Sequence, residues 1–200
     1  MSIRPMLTGR RVVLRPFSGD DYESWRAIRQ QNIEWLEPWE PRQAFLNQTD
    51  LISSRRAFVM RCSGRDRERE LGTGWAFGVF LDSSLIGEMN LSNVVRGAFQ
   101  NAHVGYWIDR AHAGHSYTPE ALVVAARFAF EDIGLHRLQV AIVPRNRSSR
   151  RVVEKLDLRC EGLAERYLEI NGVWEDHLRY AITLEEWSSR ARELSVDWLD

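Results

Sequence analysis

The chain is poor in the residues that would place it in several functional classes. Only two of its 200 residues are cysteines, Cys62 and Cys160, and their wide separation supports neither a disulfide framework nor a zinc site. Among 27 basic residues Lys155 is the sole lysine, a bias that reads as GC-rich codon usage and carries no nucleic-acid signal. A net charge of −1 gives no reason to expect a polyanionic partner. No apolar run approaches the ~20 residues needed to span a bilayer; the longest apolar-rich stretch, Ala121 to Phe130, is broken by Arg127. Met1 to Pro5 contains no signal-peptide core. Repeats, low-complexity segments and linkers are lacking too. What is present, 44% hydrophobic and 28% charged residues, matches an ordinary globular protein and excludes a wholly disordered chain. The expectation is a single domain over residues 1–200, cytoplasmic, monomeric or homodimeric, with no membrane or direct nucleic-acid partner.

Strand and helix signals alternate along the chain. Arg11 to Pro16 is a short β-branched strand. Ser18-Gly19-Asp20-Asp21 starts a helix in which Tyr22, Trp25 and Ile28 share one face. Trp35-Leu36-Glu37-Pro38-Trp39 is a helix end or a loop. A second helix is expected over Thr49 to Arg61, and the charged stretch Gly64 to Gly74 reads as a solvated loop. Trp75 to Leu81 and Leu85 to Leu91 form a hairpin around Asp82-Ser83-Ser84. Ala102 to Ile108 is a strand leading through a turn into a helix at Pro119, which Gly134 closes. Leu138 to Val143 is a strand stopped by Pro144, followed by a helix over Ser148 to Leu156. Asn171-Gly172 is a strong hairpin signal joining Gly162–Ile170 to Val173–Thr183, and Leu184 to Leu194 is a closing helix. The fold class is therefore α/β (α+β mixed), a mixed sheet flanked by helices in one domain.

The strand–turn–helix from Ala102 to Glu131 carries the clearest chemistry. A helix N-terminus presents free amides and partial positive charge, which suits a phosphate or pyrophosphate. Gly114 allows close backbone approach, and Ser116 and Thr118 offer hydroxyls either to an anion or as caps. Pro119 has no N–H, so the useful donors precede it.

Three segments in order complete a pattern. Gly105-Tyr106-Trp107-Ile108, then Ala113-Gly114-His115-Ser116, then Asn146-Arg147-Ser148-Ser149 before Val152-Val153-Glu154-Lys155-Leu156, resemble the GCN5-related N-acetyltransferase (GNAT) signature. Tyr167 to His177, with Asn171-Gly172 at its centre, and Trp35 to Trp39 resemble its ribosomal-protein alanine acetyltransferase (RimJ/RimL-like) branch. The resemblance spans about residues 11–187 and implies a GNAT-like domain with a central, mostly antiparallel mixed sheet. It implies acetyl-CoA as co-substrate, no metal, and acetyl transfer to the N-terminal α-amine of a protein or peptide, such as a ribosomal protein. The alternatives are a small-molecule amine acetyltransferase and a catalytically silent acyl-CoA-binding module. The sequence departs from the family at the phosphate loop, where Ala113, Ser116 and Thr118 stand at its usual Gln/Arg and Gly positions. It also has Val153 where many members carry a tyrosine.

By the same resemblance, Trp107, Ile108, Ala113, Gly114, His115, Ser116, Tyr117, Thr118, Asn146 and Arg151 contact the co-substrate. Ser149 is the remaining hydroxyl able to protonate the departing thiolate, or else a helix cap. Asn146 orients a ligand or is a turn residue after proline. Arg145, Arg147, Arg150 and Arg151 pair with phosphates or form a solvated face. Glu88 is the candidate base or else a solvent-facing strand residue, with Ile86, Glu88, Asn90 and Ser92 on one strand face and Leu85, Met89 and Leu91 on the other. Asn90, Tyr167, Trp35 and Trp39 are assigned to the acceptor side; the tryptophans either face the Asn171-Gly172 hairpin across the cleft or pack their loop against the first helix. An α-amine of pKa ~8 is roughly a tenth neutral at pH 7, so it needs little help from a base.

Overall fold

The structure, a computed structural model, describes residues 5–41, 52 and 54–200. Among them a sheet of eight strands runs in the order β1-β2-β3-β4-β5-β6-β8-β7. The strands are β1 (Leu7–Thr8), β2 (Val12–Arg15), β3 (Trp75–Leu81), β4 (Ser84–Val95), β5 (Asn101–Ile108), β6 (Arg137–Ile142), β7 (Arg159–Ile170) and β8 (Val173–Thr183). Every neighbouring pair is antiparallel except β5 and β6. The helices are α1 (Tyr22–Gln31), α2 (Ile33–Leu36), α3 (Arg55–Leu71), α4 (Tyr117–Arg127), α5 (Arg147–Lys155) and α6 (Leu184–Trp198). No helix among the described residues is long and apolar enough to cross a membrane.

Both sheet faces are covered, by different helices. On one face Val104, Leu138, Val140 and Ile182 pack with the apolar side of α4, Val153 of α5 and Trp187 of α6 in the main core. On the other, Phe17, Phe80 and Leu85 meet Tyr22, Trp25 and Ile28 of α1 and Phe58 and Cys62 of α3. A Ser18 capping box starts the 3-10 turn Gly19–Asp21 that leads into α1: Asp20 N–H donates to Ser18 Oγ, and Ser18 N–H donates to Asp21. The two hairpin turns, Asp82-Ser83 and Asn171-Gly172, hold positive φ at both central residues, the conformation that matches strand twist.

Two expectations are corrected. The charged stretch from Gly64 is helix, not loop: α3 continues to Leu71, and Gly72 closes it in the left-handed conformation at φ 69°. Its charges pair one turn apart, Arg65 with Glu68 at 2.8 Å and Arg69 with Asp66 at 2.7 Å. The expected start of that helix, near Thr49, lies outside the described residues. The second correction concerns β4. Gly87 pairs with Val79 but Leu85 pairs with Phe80, so Ile86 is an extra, bulged residue. The bulge turns Leu85 toward α1 and α3 and Ile86 into the main core, reversing the faces read from simple alternation. Glu88 and Asn90 remain opposite Met89 and Leu91.

Gly87 sits where this bulge crosses β5. A Cβ there would lie 2.3 Å from the Trp107 carbonyl oxygen and 3.2 Å from Ile108 Cα.

Candidate active site

The parallel pair β5 and β6 stays together for Asn101 to His103 against Arg137 to Gln139, and then the ladder stops. Val104–Ile108 and Val140–Ile142 run on without pairing to each other. The backbone groups along such a gap are available to a ligand that carries amides of its own. Ligands commonly bind at the C-terminal ends of parallel strands because the following turns and helix N-termini gather there. Here those elements are the Ala113–Thr118 turn before α4 and the Asn146 turn before α5.

The first turn has the open N-terminal geometry that suits an anion. Gly114 and Ser116 have φ of 83° and 66°, and Ser116, the N-cap of α4, makes no side-chain capping bond. The amides of Gly114 through Thr118 find no acceptor among the described residues. The turn is braced from below by Arg11, whose guanidinium donates to the carbonyls of His115 and Ser116 at 3.2 and 3.4 Å. Arg11 in turn is held by the buried Glu120, which also accepts from Val12 N–H at 2.9 Å. From above, Lys155 Nζ donates to Ser116 Oγ at 2.7 Å. The chain's sole lysine thus sits on this turn, a role its sequence position did not reveal.

At the second turn, Asn146 Oδ1 accepts from Ser149 N–H at 3.0 Å and caps α5. Asn146 is the cap, which frees Ser149 from that role. Ser149 Oγ donates to the Tyr106 hydroxyl at 3.0 Å, and that hydroxyl donates to the Ser149 carbonyl at 3.1 Å. Burial pushes the Tyr106 phenol up, against the opposing Ser149 hydrogen bond, so it stays protonated. Val153, at the position where many family members carry a tyrosine, is fully buried in the main core. The phenol comes instead from β5. Of the arginines nearby, Arg150 donates to the Pro144 carbonyl at 3.3 Å, whereas Arg151 is largely exposed on α5.

The opposite face of the sheet differs in character. Glu88 is 2% exposed, not solvent-facing. Trp25 Nε1 donates to its Oε1 at 2.7 Å and Arg61 to its Oε2 at 2.6 Å. Burial alone would push this carboxyl up, but Arg61, the Trp25 hydrogen bond and Arg29 outweigh it and hold it below the usual carboxylate range. A carboxylate held so low is a weak proton acceptor. Two residues along, Asn90 Oδ1 is buried with no partner. Opposite it on β5, Gly105 is exposed, with open space where a Cβ would be.

The acceptor-side aromatics are drawn together rather than set apart. Trp35 Nε1 donates to the Ile108 carbonyl at 3.1 Å, which occupies that carbonyl. Trp107 lies under the Arg29 guanidinium, 5.2 Å from its ring centre, and Arg29 pairs with Glu40. Asn171 N–H donates to the Glu40 carbonyl at 2.9 Å, and Arg145 covers the Trp39 ring at 4.7 Å while pairing with Glu175. The Trp39–Glu40 segment and the β7–β8 hairpin therefore meet as one rim. Tyr167 packs edge-on against the buried His177, 5.8 Å between ring centres. His112 pairs with Asp109, which Asn32 also holds. Among the described residues no cluster of His, Cys, Asp or Glu could hold a metal ion.

A family model described as an acetyltransferase (GNAT) domain matches residues 11–159. The chain is 34% identical over 180 residues to a Bacillus subtilis protein called probable N-acetyltransferase YjcK, covering 88% of this chain and 96% of that one. It is 31% identical over 186 residues to the Escherichia coli [ribosomal protein uS5]-alanine N-acetyltransferase, covering 91% and 92%. Among solved structures, Mycobacterium smegmatis RimJ in complex with CoA-disulfide superposes with a TM-score of 0.87 at 33% identity, covering 97% of this chain and 93% of that one.

Proposed function

The chain belongs to the GNAT acetyltransferase family, and from that premise we propose that it transfers acetyl from acetyl-CoA to the N-terminal α-amine of a protein, within a single cytoplasmic catalytic domain. The observation that carries this reading is the β5–β6 gap, with an anion-receptive turn on one face of the sheet and an orphaned amide acceptor on the other. The names of similar proteins, an N-terminal alanine acetyltransferase among them, support the acceptor class. In this reading the free amides of Gly114 to Thr118 and the Lys155 ammonium hold the pyrophosphate. The pantetheine arm follows the open edge of β5 from Tyr106 toward Trp107. Acetyl-CoA supplies an activated acyl group on a thiolate leaving group of pKa roughly 8.5.

The protein's own groups then have modest tasks. Holding amine and thioester in contact is worth up to ~7–11 kcal/mol. Asn90 Oδ1 accepts an N–H of the incoming amine and aims its lone pair through the gap. Glu88 stays a carboxylate and stabilises the positive charge that grows on nitrogen during attack, and solvent removes the proton. Ser149 Oγ turns from Tyr106 to donate to the departing sulfur, with Tyr106 as the group that holds it in place. Trp35, Trp39 and Tyr167 line the acceptor's path, and Asn146 shapes the turn by capping α5.

A thermal-shift titration with acetyl-CoA, followed by free-thiol release on a peptide with N-terminal alanine, tests the whole reading. Release with polyamines or antibiotics but not with peptides would make it a small-molecule enzyme. Binding without release on any amine would make it a silent acyl-CoA-binding module.

Gly114→Val is expected to weaken acetyl-CoA binding at least tenfold in a folded protein. At φ 83° a β-branched residue strains the turn by about 1–2 kcal/mol, and its methyls crowd the phosphate approach. Unchanged affinity by calorimetry would remove the pyrophosphate from this turn. Ser149→Ala should lower kcat roughly 100-fold without abolishing turnover, and Tyr106→Phe should cost less, because it removes only the partner that orients Ser149. Single-turnover rates with saturating acetyl-CoA distinguish these from binding effects; equal losses in the two variants would make the hydroxyls a structural pair.

A further inference from the structure

An arginine on β8 remains without a role in this scheme. Tyr180 and Ile182 enter the main core, which puts Arg179 on the opposite, acceptor-side face of the strand. It stands in register with Ala141 of β6, in the stretch that has parted from β5. Arg179 is therefore one strand spacing, roughly 4.8 Å, from the edge of the gap. Ala141 does not fill the space between them.

Arg179 is partly buried, its Nε is buried without a partner, and no carboxylate among the described residues pairs with it. Other arginines of this face have carboxylate partners: Arg61 has Glu88, Arg29 has Glu40, Arg145 has Glu175, and Arg137 shares Glu161 with Arg159, which also pairs with Glu186. His103, on the same face, is held neutral by burial and by the nearby Arg137. Arg179 is left as an uncompensated cation in a partly desolvated cleft. Such a charge is costly when unpaired, and a guanidinium fork matches a carboxylate in two hydrogen bonds.

On the acceptor reading above, we infer that Arg179 is a specificity-determining residue that pairs with a carboxylate side chain at the second or third position of the acceptor peptide. The position follows from geometry. The α-amine occupies the gap, an extended chain advances roughly 3.3 Å per residue, and β8 lies one strand beyond β6.

The test uses four peptides that share an N-terminal alanine and a common tail. They carry glutamate at position 2 or 3, glutamine in its place, or lysine in its place. The full-length protein should turn over the better glutamate peptide roughly tenfold more efficiently in kcat/KM than the glutamine peptide, mostly through KM. Arg179→Gln should erase that preference, and Arg179→Glu should transfer it to the lysine peptide. The KM for acetyl-CoA should stay unchanged in both variants, which also verifies their folding. Equal efficiencies for all peptides in an active enzyme, or a glutamate preference that survives Arg179→Gln, would overturn the inference alone. Absence of thiol release from every peptide, with acetyl-CoA binding intact, would overturn the amine-acceptor reading and this inference with it.

Discussion

Gly87→Ala is expected to destabilise the protein by about 3 kcal/mol or more, lowering Tm by about 10 °C for a chain of this size. The cause is a single added carbon. It would lie 2.3 Å from the Trp107 carbonyl oxygen, and that neighbour is backbone within a paired strand, so no side chain can swing aside. Relief requires β4 and β5 to separate between Gly87 and Ile108. The same movement displaces the edge of β5 along which the co-substrate is proposed to lie. Any protein that remains folded should therefore also bind acetyl-CoA more weakly. Thermal melts and acetyl-CoA titrations of the purified variant check both effects. A variant with wild-type Tm would mean that the bulge at Ile86 can reorganise without cost.

Glu88→Gln should cost about 3 kcal/mol of stability at neutral pH, the low end for removing one partner of a buried ion pair, because Arg61 is 20% exposed and can turn toward water. The pH dependence has a definite sign. The folded carboxyl lies below its unfolded value, so its contribution is complete above the ordinary carboxylate range and is lost as pH falls through the folded pKa. The gap between wild type and Glu88→Gln should stay constant from pH 6 to 8, well above the ordinary carboxylate range of about 4, and shrink in acid. Denaturant unfolding at several pH values measures it. Turnover should fall roughly 10- to 100-fold, by the same factor from pH 6.5 to 8.5, because a carboxylate held this low does not titrate there. A loss that fades as pH rises toward the amine's own pKa would instead assign Glu88 the removal of a proton.

Misreadings of the sequence trace to single physical features. Alternating charges after Gly64 looked like a solvated loop, yet the same residues pair one helical turn apart, partly shielded from solvent, and Gly72 marks the helix's true end. Glu88 looked solvent-facing because a polar residue on an alternating strand usually is. Its burial depends on Trp25 and Arg61, which lie 63 and 27 residues away and arrive on α1 and α3. The missing tyrosine was sought on the helix after Asn146, whereas the phenol beside Ser149 belongs to β5. A signal for it was present in Gly105-Tyr106-Trp107-Ile108, but nothing in the chain's order says that Tyr106 faces α5. Lys155 stands out in the sequence as the chain's one lysine, although its contact with Ser116 depends on how α5 packs beside α4.

Local chemistry determined what was legible from the sequence. Caps, hairpin turns, strand alternation and the order of the GNAT-like segments depend on neighbouring residues, so most of the elements, the mixed sheet and the turn before α4 follow from the chain alone. Tertiary structure decided the rest: the bulge that reorients β4, the end of the β5–β6 ladder, the low proton affinity of Glu88, the Ser149–Tyr106 pair and the unpaired Arg179. Each depends on which side chains from distant segments meet, how much water they exclude and which charges cancel. Those quantities are set by packing, and no spacing of residues along the chain encodes them.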